Sequence, residues 1–465
     1  MGWCYVPPFL FLTLLGYQIF LLNTNHMQSH INTPIDAKIV DEVLAKYQIG
    51  DLNNATIREI VSIVNDIEEK SGEKFIRMEM GVPGLMPSEI ATNAEIEALK
   101  NGVASKYPML EGIKPLKEEA SRFVKAFLNL DIAPECCVPT VGSMQGSYAN
   151  FLVCGQIYKE RDTLLFIDPG FPVQKQQLDV LGYKYESFDV YNYRGEALRE
   201  KLESYFKTGK INAVVYSNPN NPTWVCFTES ELKIIGELAT KYDVVVIEDL
   251  AYFAMDFRND LSKPFEAPYQ VSVGHYTDNY VLLISSSKAF SYAGQRMSLT
   301  CMSNTLYHRQ YDDLEERFGV AKYGQVLVTR VLYSLSSGTC HSAQYALAAM
   351  LKAANDGEFN FLEEVKDYKE RGKVMKDLFL ANGFNLTYDK DIDQPLADGF
   401  YFTVSYKDMT GGQLLEKLLY YGISAITLGK TGSKQESLRA CVSQTGSERF
   451  DDLRVRLEAF SADHA

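Results

Sequence analysis

An α/β architecture, with a mostly parallel sheet held between helices and a smaller α+β unit attached to it, is predicted by three features of the sequence. Short apolar, β-branched runs at 138–141, 163–167, 213–216, 244–247 and 280–284 alternate with helical segments, which is how a parallel sheet covered on both faces is written. The runs end in polar, aromatic or glycine residues, as strands do when their carboxyl ends open on a ligand crevice. From about residue 340 the order changes to helices mixed with short alternating runs, the mark of an α+β unit.

Size and composition bound the function. A chain of 465 residues can bury a large core and divide into two domains, one wrapped from both termini. With 46% hydrophobic and 23% charged residues it has the composition of a soluble globular enzyme. A net charge of −14 argues against nucleic acid or anionic lipid as a partner, because both need a basic surface. The eight cysteines contain no C-x-x-C pair, and adjacent Cys136 and Cys137 have no familiar metal-ligand spacing. No metal is expected. The cysteines read as small core residues in a reducing compartment, and the location expected is cytoplasmic.

Residues 3–22 stand apart, being apolar and uncharged but interrupted by Pro7 and Pro8. They are long enough in principle for a short membrane span, and they lack the positive flank and cleavage site of a signal peptide. A start at Met27 is the first expectation, a membrane anchor the second and a signal peptide the third. The division expected is an extension over 1–26, an arm and part of the small domain over 27–90, the large domain over 91–335 and the small domain over 336–465.

Along the chain, helices are predicted at 34–47 and 56–70, the second with Ile57, Ile60, Val61, Val64 and Ile67 on one face. The run 75–80 leads into Gly81-Val82-Pro83-Gly84, and a loop at 106–112 precedes a helix at 115–128. The strand at 138–141 runs into Gly142-Ser143-Met144-Gln145-Gly146, small residues opening an apolar helix at 148–157 whose free N–H groups can face an anion. The next strand ends lead into Asp168-Pro169-Gly170-Phe171, then Ser217 through Thr223, then Glu248-Asp249-Leu250-Ala251-Tyr252. Thr228 and Glu231 form a capping box before a helix at 232–242. Further helices are expected at 307–318, 343–354, 361–381 (stopped by Gly383), 413–421 and from 448, with strands near 399–404 and 437–443. His341 reads as a cap or core histidine.

The strand at 280–284 sets Lys288 at its carboxyl end, between Ser285 and Arg296. A lone lysine is ordinarily a solvated one. Here a hydroxyl and a guanidinium fork suited to a phosphate flank an amine that can form an imine, a combination that suggests pyridoxal phosphate.

The stretch from Ser285 to Arg296, SSSKAFSYAGQR, resembles the lysine motif of the fold-type I, class I/II aminotransferases, with Ser298 where that family often has glycine. The resemblance extends over about residues 75–445. It implies a seven-stranded, mostly parallel sheet in the large domain, a Schiff base on Lys288, and Ser285 and Arg296 on the cofactor phosphate, beside the helix opening at Ser143 and Met144. Asp249 and Tyr252 resemble the family's D-x-x-Y, the carboxylate serving the pyridine nitrogen and the hydroxyl the phenolic oxygen. Asn221 resembles the asparagine of N-P-T-G, with Trp224 in place of the glycine, and Phe171 would stack on the ring. Gly81, in G-x-P, would lie near substrate, and Tyr107 would reach a partner subunit's phosphate, although an exposed loop tyrosine reads the same way. Arg439 would hold the substrate carboxylate. Its alternating run, taken alone, reads as a solvated edge strand. The activity implied is transamination between an L-amino acid and a 2-oxo acid in a homodimer, with β- or γ-elimination, C–S cleavage included, as the alternative on the same scaffold.

Overall fold

The computed structural model describes residues 33–465. The segment 3–22 and the readings attached to it lie outside the described residues. Among those described, no helix is long and apolar enough to cross a membrane.

A seven-stranded sheet forms the centre, in the spatial order Cys137–Val141, Met297–Met302, Tyr280–Ser285, Val245–Leu250, Ile211–Ser217, Thr163–Asp168, Lys184–Asp189. All strands run parallel except Met297–Met302, which is antiparallel to both neighbours. The reversal has a local cause. The eleven residues 286–296 that join it to Tyr280–Ser285 hold only the short turn Ala293–Gln295, and a parallel return needs a crossover of a dozen or more residues, usually a full helix. Helices cover both faces, so the inner strands are buried along nearly their whole length. Two strands of this sheet have no counterpart among the apolar runs of the sequence. Lys184–Asp189 is an edge strand with polar, exposed residues, and Met297–Met302 follows directly on the lysine segment where helices were expected.

Several boundaries move for identifiable reasons. The first described helix is Ala37–Tyr47 and begins after Asp36, whose side chain caps it, three residues later than the pattern suggested. The next, Ile57–Ser71, carries the reciprocal Thr56–Glu59 capping box and buries Ile60, Ile63, Val64 and Ile67. The helix opening at Gly142 starts there and ends at Cys154, earlier at both ends than the apolar run implied. The helix expected at 307–318 is two, Asn304–His308 and Asp312–Phe318, and that at 361–381 is divided into Phe361–Val365 and Asp367–Ala381. Of the run 75–80 only Ile76–Arg77 is strand, paired parallel to Ile423–Ser424, so the N-terminal segment is part of the smaller unit. That unit has its own antiparallel sheet, in the order Ile426–Thr427, Leu438–Cys441, Tyr401–Ser405, Asn385–Leu386. Helix His341–Asn355 packs on Glu89–Lys100 and Lys114–Leu128, beside the large sheet rather than with the small-domain elements that follow it.

Two buried carboxylates tie the units together from opposite sides. Asp189, at the end of the large sheet's edge strand, accepts from the Tyr388 hydroxyl at 3.0 Å and from Lys434 N–H at 2.7 Å. Asp391, on the small unit's hairpin Lys390–Pro395, accepts from Arg258 Nη2 at 2.8 Å, Cys226 N–H at 2.9 Å and Arg194 Nη1 at 3.3 Å.

Candidate active site

The carboxyl ends of the parallel strands open on a cavity of about 210 Å³, closed from the other side by the small unit. Ser143, Met144, Phe171, Asn221, Asp249, Tyr252, Ser285, Lys288 and Arg296 line it, as do Gly81 and Arg439. Of the residues that the resemblance sets on cofactor or substrate only Tyr107 stands outside, on the surface and 92% exposed.

Lys288 follows the strand Tyr280–Ser285, and its Nζ donates to Gly81 O at 2.6 Å. Burial lowers its pKa to about 8, with Cys441 opposing and the Arg439 and Arg296 cations assisting. A neutral amine is therefore available near physiological pH.

Asp249, the penultimate residue of Val245–Leu250, sits deeper. Its Oδ2 accepts from Gln174 Nε2 at 2.9 Å and its Oδ1 from the Ala251 N–H at 3.1 Å. Burial raises its pKa to about 6, against the pull of those two hydrogen bonds. Among the described residues it has no cationic partner. Gln174 was not foreseen, although its place in the first turn of helix Pro172–Leu181, three residues after Phe171, is where a strand-end residue and a helix would share one ligand.

Arg439 overturns the reading of its run as a solvated edge. It is 3% exposed, because Leu438–Cys441 lies between Ile426–Thr427 and Tyr401–Ser405 and is covered on both faces. Nη2 donates to Glu79 O at 2.6 Å and Nη1 to Asn221 Oδ1 at 3.3 Å, while the buried Nε has no partner. Among the described residues no carboxylate pairs with this guanidinium, and a buried guanidinium with a spare donor is suited to holding an anion.

A second anion position lies at the helix Gly142–Cys154. Gly142 has φ +65°, and a Cβ there would overlap the Arg296 guanidinium, so the glycine lets arginine and helix N-terminus meet. The Gly142 N–H donates to Arg296 O at 2.8 Å. Arg296 has no carboxylate partner among the described residues, and Ser143, Ser285 and Ser287 add hydroxyls to the same cavity wall. Ser298, in the place of the expected glycine, is paired opposite Ser285 and donates its hydroxyl to Ile284 O at 2.8 Å, inside the sheet and away from the cavity.

Trp224 takes the left-handed backbone (φ 65°) that glycine would take freely, and the turn survives with its N–H donating to Asn220 O at 2.9 Å. Its indole is fully buried, edge-on to Tyr252 and Tyr401 at centroid distances of 5.4 and 6.1 Å. The Tyr252 hydroxyl is 2.6 Å from that of Tyr401, a second lining residue that no sequence motif had marked. A larger cavity of about 490 Å³, between Asp256–Arg258 and the hairpin at Asp391, contains none of the expected site residues.

Residues 73–457 match the family model described as aminotransferase class I and II. Among curated proteins the chain is 22% identical over 329 residues to a probable aspartate aminotransferase of Methanocaldococcus jannaschii, covering 69% of this chain and 79% of that one. It is 24% identical over 404 residues to the putative aminotransferase YugH of Bacillus subtilis, covering 83% and 92%. Among solved structures, aspartate aminotransferase from Thermus thermophilus with maleate superposes with a TM-score of 0.69 at 18% identity, covering 88% of this chain and 96% of that one.

Proposed function

Since the chain belongs to the aminotransferase class I and II family, we propose that Lys288, Asp249, Tyr252 and Arg439 are the working groups of this pyridoxal-phosphate-dependent transaminase, which moves an amino group between an L-amino acid and a 2-oxo acid. The observation that carries the assignment is the meeting in one cavity of an amine with a lowered pKa, a buried carboxylate without a cation and a buried guanidinium with a spare donor. The relatives are named as transaminases, which favours transfer over elimination.

The residues fit the cofactor at three points. The helix N-terminus with Arg296, Ser143 and Ser285 is a phosphate cradle, and Gly142 is what opens it. Asp249 lacks the cation that a protonated pyridine nitrogen would supply, and such a proton would bring its carboxyl back to the ionised form. Phe171 offers a ring face, and Asn221 with Tyr252 offers polar atoms. When bound, the cofactor supplies an electron sink for the carbanion formed at the substrate α-carbon.

The chain's own groups do the rest. Arg439 takes the substrate carboxylate on a planar fork and fixes which α-substituent faces Lys288. Lys288 Nζ, neutral above about pH 8, removes the α-proton and holds it for return. Asn221, bonded to Arg439, couples the substrate anchor to the cofactor side of the cavity. We also propose a homodimer. Tyr107 and Met109, 92% and 62% exposed on one loop, need a covering surface, and a second copy bringing Tyr107 to the opposite phosphate would supply it. The described cysteines are free thiols, six of the seven buried, which supports a reducing, cytoplasmic setting.

The test is direct. Purified protein given pyridoxal phosphate should gain visible absorption, and borohydride should fix the label on the peptide carrying Lys288. Lys288→Ala should fold, lose the label and lose all turnover of amino acid with 2-oxo acid. Wild-type protein that takes up no cofactor would overturn the assignment.

A further inference from the structure

Tyr401 opens the strand Tyr401–Ser405 and faces Cys441 across the pair, while Arg439 faces Thr403. Side chains two apart on a strand share a face, so Tyr401 and Arg439 are diagonal neighbours on the cavity side. The guanidinium lies over the Tyr401 ring at 4.5 Å from its centroid. The hydroxyl of the same ring meets the Tyr252 hydroxyl at 2.6 Å, and among the described residues neither has another hydrogen-bond partner. On its third side the ring is held by Trp224, and on its fourth by Gly81, where an added Cβ would overlap the phenol oxygen and stand 3.2 Å from the carbon bearing it. One phenol thus touches the substrate anchor, the hydroxyl facing the cofactor and the backbone that accepts from Lys288.

We propose that Tyr401 is a positioning residue of this site, orienting the Tyr252 hydroxyl through a hydrogen bond and the Arg439 guanidinium through its ring face, and that position 81 is glycine to leave it room. The inference rests on the reading of Tyr252 as a donor to the cofactor.

The direction of the hydrogen bond follows from the cation. A guanidinium over its face draws electron density from the Tyr401 ring and makes that phenol the better donor. Tyr401 then donates to the Tyr252 oxygen, and the Tyr252 proton is left pointing into the cavity. Accepting one hydrogen bond strengthens the donor in the next, so Tyr252 becomes a stronger donor to a negative oxygen than it would be alone.

Two consequences separate this role from simple packing. Tyr401→Phe keeps the ring under Arg439 and deletes the hydrogen bond. The pH midpoint of the bound cofactor's visible band should rise, by roughly half a unit to one unit for a hydrogen bond of ordinary strength, while KM for the amino donor changes less than about twofold. Tyr401→Ala removes the ring as well and should raise KM about fivefold or more. Second, in cofactor-free protein Gly81→Ala should lower the thermal midpoint, and adding Tyr401→Phe to it should recover most of the loss, since only the hydroxyl oxygen is overlapped.

The experiment is therefore a spectrophotometric pH titration of wild type, Tyr401→Phe and Tyr401→Ala loaded with pyridoxal phosphate, with donor kinetics, alongside thermal unfolding of the Gly81→Ala, Tyr401→Phe and double variants without cofactor. A midpoint unmoved in Tyr401→Phe, or a double variant no more stable than Gly81→Ala, overturns the proposal. A wild-type protein without a visible band would overturn the reading of Tyr252 and that half of the proposal with it. The unfolding series, which needs no cofactor, would still judge the contact between Gly81 and Tyr401.

Discussion

At the scale of single residues, Arg439 separates what period alone can say from what burial adds. The alternation of 437–443 correctly placed Arg439 opposite the apolar residues, but alternation does not say what covers the second face. Here Tyr401 and the segment at Glu79 cover it, from parts of the chain far away in sequence. Removing a bidentate, buried charge contact costs about 2–5 kcal/mol, so Arg439→Ala should lower kcat/KM for the amino donor by roughly 30-fold or more, each ~1.4 kcal/mol being a factor of ten. Arg439→Lys should recover part of this, because an ammonium cannot span both carboxylate oxygens. In both variants the cofactor's absorption should persist, as measured by its visible spectrum, since Arg439 stands apart from the cradle at Arg296. Unchanged kinetics in Arg439→Ala would remove it from the site. Lys288, Asp249 and Asn221 were legible beforehand because each follows a short apolar run, and the carboxyl ends of such runs converge whatever the loops do. Tyr401 and Gln174 were not, since a tyrosine in a strand and a glutamine in a helix carry no local mark of what they will touch.

Among secondary elements, legibility followed the continuity of the apolar run. Strands covered on both faces, such as Val245–Leu250, were visible as continuous apolar runs, whereas the edge strand Lys184–Asp189 needs only one neighbour and exposes three of its six residues. Met297–Met302 is buried throughout, yet Ser298 and Thr300 alternate with Met297, Leu299 and Cys301, so it carries no continuous apolar run, and its alternation reads as a half-buried strand although neighbours and helices cover it on both sides. The helix Gly142–Cys154 depends on its first residue more than on its apolar body. Gly142→Ala would force a left-handed backbone on a residue with a Cβ, at about 1–2 kcal/mol, and push Arg296 off the helix end. The dissociation constant for pyridoxal phosphate should rise about tenfold or more by absorbance titration. Inorganic phosphate, which competes for the same cradle, should lose affinity in parallel. An unchanged constant would place the phosphate elsewhere.

On the scale of the whole molecule, the two units were expected from the change of pattern near residue 340, but their attachment was not. Asp189 and Asp391 are far apart in sequence, and neither belongs to a motif, so nothing local announces that each sits buried among donors from the opposite unit. Truncation leaves the donors behind unpaired, at about 1–3 kcal/mol for Asp189, whose partners are neutral, and about 3–5 kcal/mol for Asp391, which is ion-paired with Arg194 and Arg258. Wild-type protein should accordingly melt in one calorimetric transition with equal calorimetric and van't Hoff enthalpies. The double variant Asp189→Ala/Asp391→Ala should broaden or split that transition, whereas a single sharp peak in the double variant would show that the carboxylates are not what joins the units. Crossed fastenings of this kind make cooperativity a property of the interface rather than of either core. A protease then meets few molecules with one lobe open, and resistance to limited digestion should be lost in the double variant under conditions where the intact chain survives uncut.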